Sequence, residues 1–409
     1  MSNGLQQAAL PVGKVALIRS DAEAIAVAKS LAHDLAKGAI ARDRDPIVPF
    51  EELDALAASG LLAITIPTEH GGANVSIETV VEVFRILTAA DSAIGQLPQN
   101  HFVFVEALKQ DGDDEQRAFF FAEVLNGARF GNAQAERGSG SAVDLRTRLS
   151  ASGDGYRLNG TKYYCTGAYT ADWIPVAAID DDDRAVIAFV RRDAPGVEAS
   201  TDWDAMGQRV TFSGTVRFEN VRVSGIHIVP HWRLFHRPNL YHSYGALLHA
   251  SIEVGIARNA LEDTAEALRG RTRPRFGAKV ATALEDSLLL GQFGIMVVKL
   301  HALEALLAKT ARIHDNAVAA GVTDENAAVA AVAVSAVKAF AEDVALEISS
   351  ELFAFIGSAS LDRKLGFDRH WRNARSHTVH DANQWRYLQV GDWLVNKTAP
   401  GKPVRKRVE

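Results

Sequence analysis

Residues 150–168 read SASGDGYRLNGTKYYCTGA, and they decide the fold class. Gly153-Asp154-Gly155 and Asn159-Gly160 are turn signals, and Tyr156 and Leu158 between them sit at strand spacing. Short runs broken by Gly and Asp begin near Phe130 and continue through AVIAFVRRDAPGV (185–197) and SGTVRFENVRV (213–223). Residues 130–230 therefore predict a small antiparallel barrel or sandwich.

Outward from that core the pattern turns helical on both sides. Ser20 and Asp21 are good N-caps for a helix through residues 20–43, and PFEELDALAASG (49–60) predicts a second helix ending at a left-handed Gly60. Residues 61–73, LLAITIPTEHGGA, read as an extended turn, and helical spacing returns over 77–95, 101–110 and 115–127. After Pro238, helices are predicted at 243–271, 284–315, 324–357 and 381–396, an antiparallel four-helix bundle. In the first of these, Leu248, Ile252, Ile256 and Ala260 form one stripe and Leu247, Val254 and Leu261 others. Such a helix is buried nearly all round. The predicted organisation is a flexible arm (1–20), an N-terminal helical domain (21–129), a central β domain (130–230) and a C-terminal bundle (231–409), an α+β fold.

The 409 residues carry 44 Lys+Arg against 50 Asp+Glu, a formal charge of −6, and 47% are hydrophobic. The chain is too apolar for disorder and too acidic for a nucleic-acid surface. MSNGLQQAALPVGK has no basic start followed by an apolar run, so no leader peptide is expected. LLLGQFGIMVV (288–298) is broken by Gln292 and followed by Lys299, too short a run for a bilayer. A lone cysteine, Cys165, fits a reducing compartment. A soluble, cytoplasmic protein is expected.

Four stretches carry candidate chemistry. ARFGNAQAERGSGSAVD (128–144) puts small and hydroxyl residues at a helix-to-strand junction, where backbone amides can meet a ligand or merely form a surface loop. It matches neither the phosphate-loop nor the dinucleotide fingerprint. LNGTKYYCTGAYTADW (158–173) sets Thr166 beside Gly167, either a hairpin strand or a hydroxyl and open backbone face suited to a flat heteroaromatic ring. Cys165 there reads as a small core residue, not a nucleophile. In residues 201–223 Trp203 precedes a turn, as a pocket wall or as a core indole. LDRKLGFDRHWRNARSHTVHDANQW (361–385) gathers Arg369, His370, Arg372, Arg375, His377, His380 and Asp381. On a helix His377 and His380 would share one face. The H-E-x-x-H pattern is lacking, so no metal is expected.

In this order the four stretches resemble the acyl-CoA dehydrogenase superfamily over nearly the whole chain. AERGSGSAVD (135–144) is similar to its S-E-P-x-x-G-S-D loop and KYYCTG (162–167) falls at its W-I-T-N strand. MGQRVTFSGTVRFENVRV (206–223) resembles its M-G-x-R segment, and GSASLDRKLGFDRHWRNAR (357–375) keeps the spacing from its Gly-Gly turn to its R-D-A-K element. The resemblance implies an N-terminal helical domain, a central antiparallel β-barrel and a C-terminal four-helix bundle. Residues 44–62, 164–173, 202–209 and 367–381 resemble the flavin-dependent monooxygenase branch, home of the dibenzothiophene monooxygenases and the sulfur-acquisition oxidoreductases.

That branch implies a homotetramer using reduced FMN from a separate flavin reductase, with O₂ as co-substrate. The flavin C4a-hydroperoxide would pass an oxygen atom to a small organosulfur compound in sulfur acquisition. Asn132, Thr166 and Trp203 would border the isoalloxazine, and Arg273 in TRPRFG would reach the flavin phosphate. His377 and His380 would manage protons, with Asn100 and His101 beside the substrate.

Several positions depart from the superfamily pattern. Asp381 stands in place of a glutamate base, Arg137 in place of a proline and Gly167 in place of an asparagine. Ala354 replaces a glutamine that holds the adenylate half of FAD, which favours FMN. Gln96, Asn100 and Ala359 replace pocket residues of the dibenzothiophene type, implying a kept flavin apparatus and a changed substrate pocket. The alternatives are an FAD-dependent acyl-CoA dehydrogenase with Asp381 as base, and a non-catalytic flavin- or metabolite-binding protein.

Overall fold

Seven helices precede the sheet: α1 (Asp21–Ala36), α2 (Ala39–Arg44), α3 (Phe50–Ala58), α4 (Ile77–Ala90), α5 (Ser92–Gln96), α6 (Gln99–Asp111) and α7 (Asp114–Leu125). The structure is a computed structural model and describes residues 15–138, 144–153, 155–270, 273–380, 382–401 and 406–407. Most of the expected arm, and Asp381, lie outside the described residues. The Ser20 hydroxyl accepts from the Glu23 amide at 3.2 Å, capping α1. The single helix predicted for residues 20–43 is broken after Ala36, next to Gly38, whose backbone freedom disfavours continuation. Gly60 has φ +81°, as its cap position requires. The segment after it forms short 3₁₀ turns.

The middle region holds β1 (Asp144–Leu145), β2 (Arg148–Ser152), β3 (Gly155–Lys162), β4 (Trp173–Ile179), β5 (Ala185–Arg191), β6 (Val197–Ala199), β7 (Val216–Val223) and β8 (Ile228–Val229). Seven of these form one sheet in the order β6-β7-β3-β2-β4-β5-β8. Its pairs are antiparallel except β2 with β4, which meet in parallel at Arg148 and Ile179. The sheet is therefore mixed. The parallel pair arises because the chain between β3 and β4 crosses over instead of turning back as a hairpin. The sheet has its own apolar core, including Leu149, Leu158, Ile174, Val176 and Val221.

Helices α8 (Tyr241–Arg269), α9 (Ser287–Ala320), α10 (Asp324–Ile356), α11 (Asp368–Thr378) and α12 (Asn383–Asn396) follow, and a last strand, β9 (Lys406–Arg407), pairs with β1. α11 adds a helix to the predicted set. The N- and C-terminal helices share one core, which runs from Ile18 through Phe84 and Leu248 to Ala374.

Among the described helices, α9 is long and apolar enough to cross a membrane by length and composition. The short run near residue 288 did not predict this, because apolar residues continue well beyond Lys299. Two of its charges are tied into the bundle: Lys299 Nζ lies 2.5 Å from Glu347 Oε1, and Glu304 pairs with Arg258. Leu288, Ile295 and Val298 remain exposed.

The turn before β7 docks directly on α11. A Cβ on Gly207 would stand 2.1 Å from the Arg372 carbonyl oxygen, backbone that cannot move aside. Gly207→Ala is expected to cost about 1–3 kcal/mol, comparable to overpacking a core. Thermal unfolding measures it, and an unchanged Tm would mean the turn is not seated on α11.

Candidate active site

An extended segment follows α7 and lies along the sheet, bridged at Phe130 to Trp173, at Ala133 to Val176 and at Ala135 to Tyr163. The two-residue period of extended chain gives Asn132 and Gln134 the same side. Gln134 Nε2 donates to Asn132 Oδ1 at 3.0 Å and to Asn100 Oδ1, on α6, at 3.2 Å. Asn132 Nδ2 donates to the Tyr164 carbonyl at 3.3 Å. A row of amides thus leads from the sheet to the helices. It is anchored where Glu136 accepts from the fully buried Lys162 ammonium at 2.6 Å. Burial works against the Glu136 charge, but Lys162 and the Thr147 and Arg146 donors outweigh it and hold the carboxyl below its usual range.

Thr166 is buried, and its hydroxyl shares a 2.8 Å hydrogen bond with Ser213, which meets Thr211 at 2.8 Å. Thr211 Oγ1 and Trp203 Nε1 both donate to the Gln208 carbonyl, at 2.8 and 3.0 Å. Gln208, held at φ +49°, donates its amide to Asn373 on α11 at 2.7 Å and its side chain to the Ser92 carbonyl on α5 at 3.2 Å. One junction residue therefore fixes the indole, the hydroxyl row and both helices. The Tyr164 ring meets Trp203 edge-on, 6.4 Å between centroids.

The amide row opens on a cleft of about 850 Å³, whose lining includes Asn100, Gln134, His249, His380 and Arg386. That volume accommodates a small organic ligand. Gln99, also on the cleft wall, is buried, and its Oε1 has no hydrogen-bond partner among the described residues. A buried acceptor without a donor is costly unless a ligand supplies one.

From the cleft wall a chain of ionisable groups runs inward, from a half-buried His249 to fully buried partners. His249 Nδ1 lies 3.0 Å from His377 Nε2, and His377 Nδ1 lies 2.9 Å from Glu253 Oε1. Lys338 Nζ reaches the same Glu253 oxygen at 2.7 Å. Burial would raise the Glu253 carboxyl, but the Lys338 ammonium and the His377 contact overcome it and keep it below the usual carboxylate range. His249 is pushed well below the usual imidazole range, first by burial and then by His380, His377, Lys338 and Arg386. His380 stacks on His249 at 4.4 Å.

The expected residues separate into groups. His377 and His380 do not share a helix face, because α11 ends at Thr378. His377 is buried, His380 is exposed, and both reach His249. Asn100 lines the cleft. His101 lies in the core, where the Phe130 amide donates to Nδ1 at 3.1 Å and Nε2–H donates to the Leu62 carbonyl at 3.0 Å. Burial takes its pKa down to about 4, and its position spaces α6 from the sheet rather than facing the cleft. Cys165 is buried, its thiol pushed up to about 12 by desolvation. Arg273 follows the far end of α8, about 30 Å of helix beyond His249. Asp381 lies outside the described residues.

Sequence reading missed His249, Glu253, Lys338 and Gln208. Its signal was present: His249 and Glu253 stand four apart, on one face, in a helix apolar almost all round. Lys338 likewise interrupts an Ala/Val run.

Residues 22–128, 131–221 and 247–385 match the N-terminal, middle and C-terminal domains of the acyl-CoA dehydrogenases. The chain is also 32% identical to dibenzothiophene monooxygenase of Rhodococcus erythropolis, the match covering 93% of this chain and 95% of that one. The chain belongs to the acyl-CoA dehydrogenase family. Two solved structures share its fold closely. FMN-bound TdsC from Paenibacillus sp. A11-2 superposes with a TM-score of 0.88 at 32% identity, covering 92% of this chain and 98% of that one. Methanesulfinate monooxygenase MsuC from Pseudomonas fluorescens superposes at 0.86 and 29% identity, covering 93% and 98%.

Proposed function

We propose that this family member is a reduced-FMN-dependent monooxygenase acting on a small organosulfur compound in sulfur acquisition. The carrying observation is one cleft lined both by the amide row of the sheet and by a chain of histidines. The relatives named as monooxygenases of a thiophene and of a sulfinate support the substrate class. The donor set fits the flavin: amides, hydroxyls and an indole edge, with an acceptor at Gln99 awaiting a donor. Asn132, Thr166 and Trp203 would hold the ring system, and bound reduced FMN would supply the two electrons that activate O₂, by way of the C4a-hydroperoxide. Inserting one oxygen atom releases the other as water, whose two hydrogens are those the reduced flavin would give up, and the histidines are placed to relay the protons between them. A separate flavin reductase would supply the reduced cofactor. The cytoplasm suits both that supply and the buried thiol of Cys165.

We assign Arg273 to the flavin phosphate, reached across an interface between copies. The exposed apolar faces of α9 (Leu288, Ile295, Val298) and α12 (Trp385, Leu388, Leu394) supply such an interface, and we assign a homotetramer.

The deciding experiment is anaerobic titration with reduced FMN, followed by O₂ with methanesulfinate or dibenzothiophene. Oxygenated product should rise as hydrogen peroxide release falls. Bleaching of bound FAD by butyryl-CoA without O₂ would replace this assignment with a dehydrogenase. Failure to bind either flavin at micromolar concentration would leave a metabolite-binding protein.

A further inference from the structure

We propose that His249 is the proton-exchanging group of the cleft, and that Glu253 and Lys338 are positioning residues that fix which of its ring nitrogens carries hydrogen. The oxygen-transfer assignment enters only in naming what the proton comes from; the hydrogen-bond chain stands on its own geometry. Glu253 Oε1 accepts from Lys338 Nζ and faces His377 Nδ1, so Nδ1 of His377 must carry a hydrogen. With His377 neutral, its Nε2 is an acceptor, and the hydrogen between the two rings belongs to Nδ1 of His249. Nε2 of His249 is then a lone pair. It has no hydrogen-bond partner among the described residues, and the half-buried ring lines the cleft.

This order gives the chain a direction. A protic group in the cleft gives its proton to His249 Nε2 and is left one charge more negative. The hydrogen on His249 Nδ1 passes to His377 Nε2, and the positive charge comes to rest on His377, against the Glu253 carboxylate. Reversal returns the proton to the cleft. The cleft thus loses and regains a proton without holding an imidazolium, which burial among His380, His377, Lys338 and Arg386 disfavours at His249 itself. Lys338 has a second part to play. By occupying Glu253 Oε1 with a donor that has no acceptor capacity, it keeps the carboxylate charged and oriented. Glu342 and Arg375, paired at 3.0 Å, are the next charged groups on α10 and α11.

Nitrogen-15 NMR of the histidine-labelled chain, without flavin, tests the order directly. The wild type should show His249 hydrogen on Nδ1 and a lone pair on Nε2. In Glu253→Gln, Lys338 holds the amide oxygen, so the amide NH₂ faces His377 and both histidines should switch to hydrogen on Nε2. If that variant does not fold, the paired Glu253→Leu/Lys338→Met variant keeps volume, removes both charges and leaves His377 Nδ1 without an acceptor. His249 should then populate both tautomers. An unchanged His249 pattern in whichever variant folds, or hydrogen already on Nε2 in the wild type, overturns the proposal.

With methanesulfinate and reduced FMN, Glu253→Gln should lower kcat at least tenfold with KM unchanged, which a merely structural role would not separate. Absence of any oxygenation in the wild type would sink the monooxygenase assignment while leaving the NMR outcome to decide the proton chain.

Discussion

Lys338→Ala is expected to remove about 3–5 kcal/mol of unfolding free energy, the penalty for leaving a buried charge without its partner. Lys338 is 2% exposed and Glu253 completely buried, so water cannot replace the lost ammonium. Among the described residues Glu253 Oε2 already lacks a hydrogen-bond partner, and the variant would leave Oε1 with His377. Urea unfolding at neutral pH measures the loss. Glu253→Leu/Lys338→Met should recover most of it, since buried ion pairs and well-packed apolar pairs are often equivalent in stability. A Lys338→Ala loss below about 1 kcal/mol would mean that Glu253 is neutral in the fold.

The largest effect on activity is expected at His377. His377→Ala breaks the chain between His249 and Glu253 while leaving the amide row and the Trp203–Thr166 side untouched. Oxygenation of methanesulfinate should fall about 10²–10⁴-fold, the usual contribution of a positioned proton carrier. Consumption of reduced FMN and O₂ should continue, with hydrogen peroxide released in place of product. His380→Ala should fall less, because His380 is exposed and stacks on His249. Full coupling in His377→Ala would exclude the histidine chain from the reaction. Equal losses in both variants would make the stacked ring as important as the bonded one.

These residues also mark where the sequence was legible. Patterns set by near neighbours were readable: the Ser20 cap, the left-handed Gly60 and the alternation around Leu158 all depend on a few adjacent residues. The break at Gly38 was not, because helical spacing continues across it and only packing chooses the new direction. The collinear motifs at residues 135–144, 162–167 and 206–223 marked the sheet side of the site. The histidine chain joins α8, α10 and α11, and no local period records a pairing across so much sequence. His101 illustrates the converse error. Its place beside Asn100 was informative, but adjacent helical residues point about 100° apart, so one faces the cleft and the other the core.

The shared core of the first and last helices has a consequence for synthesis. Phe84 and Val80 pack with Leu248, Ile252 and Val344, which leave the ribosome much later. Until then, helices α1 to α7 emerge with their apolar faces uncovered, whereas the sheet closes around its own core in between. Folding during translation should therefore begin in the middle of the chain. The early helices wait for their partners and are the natural clients of a chaperone.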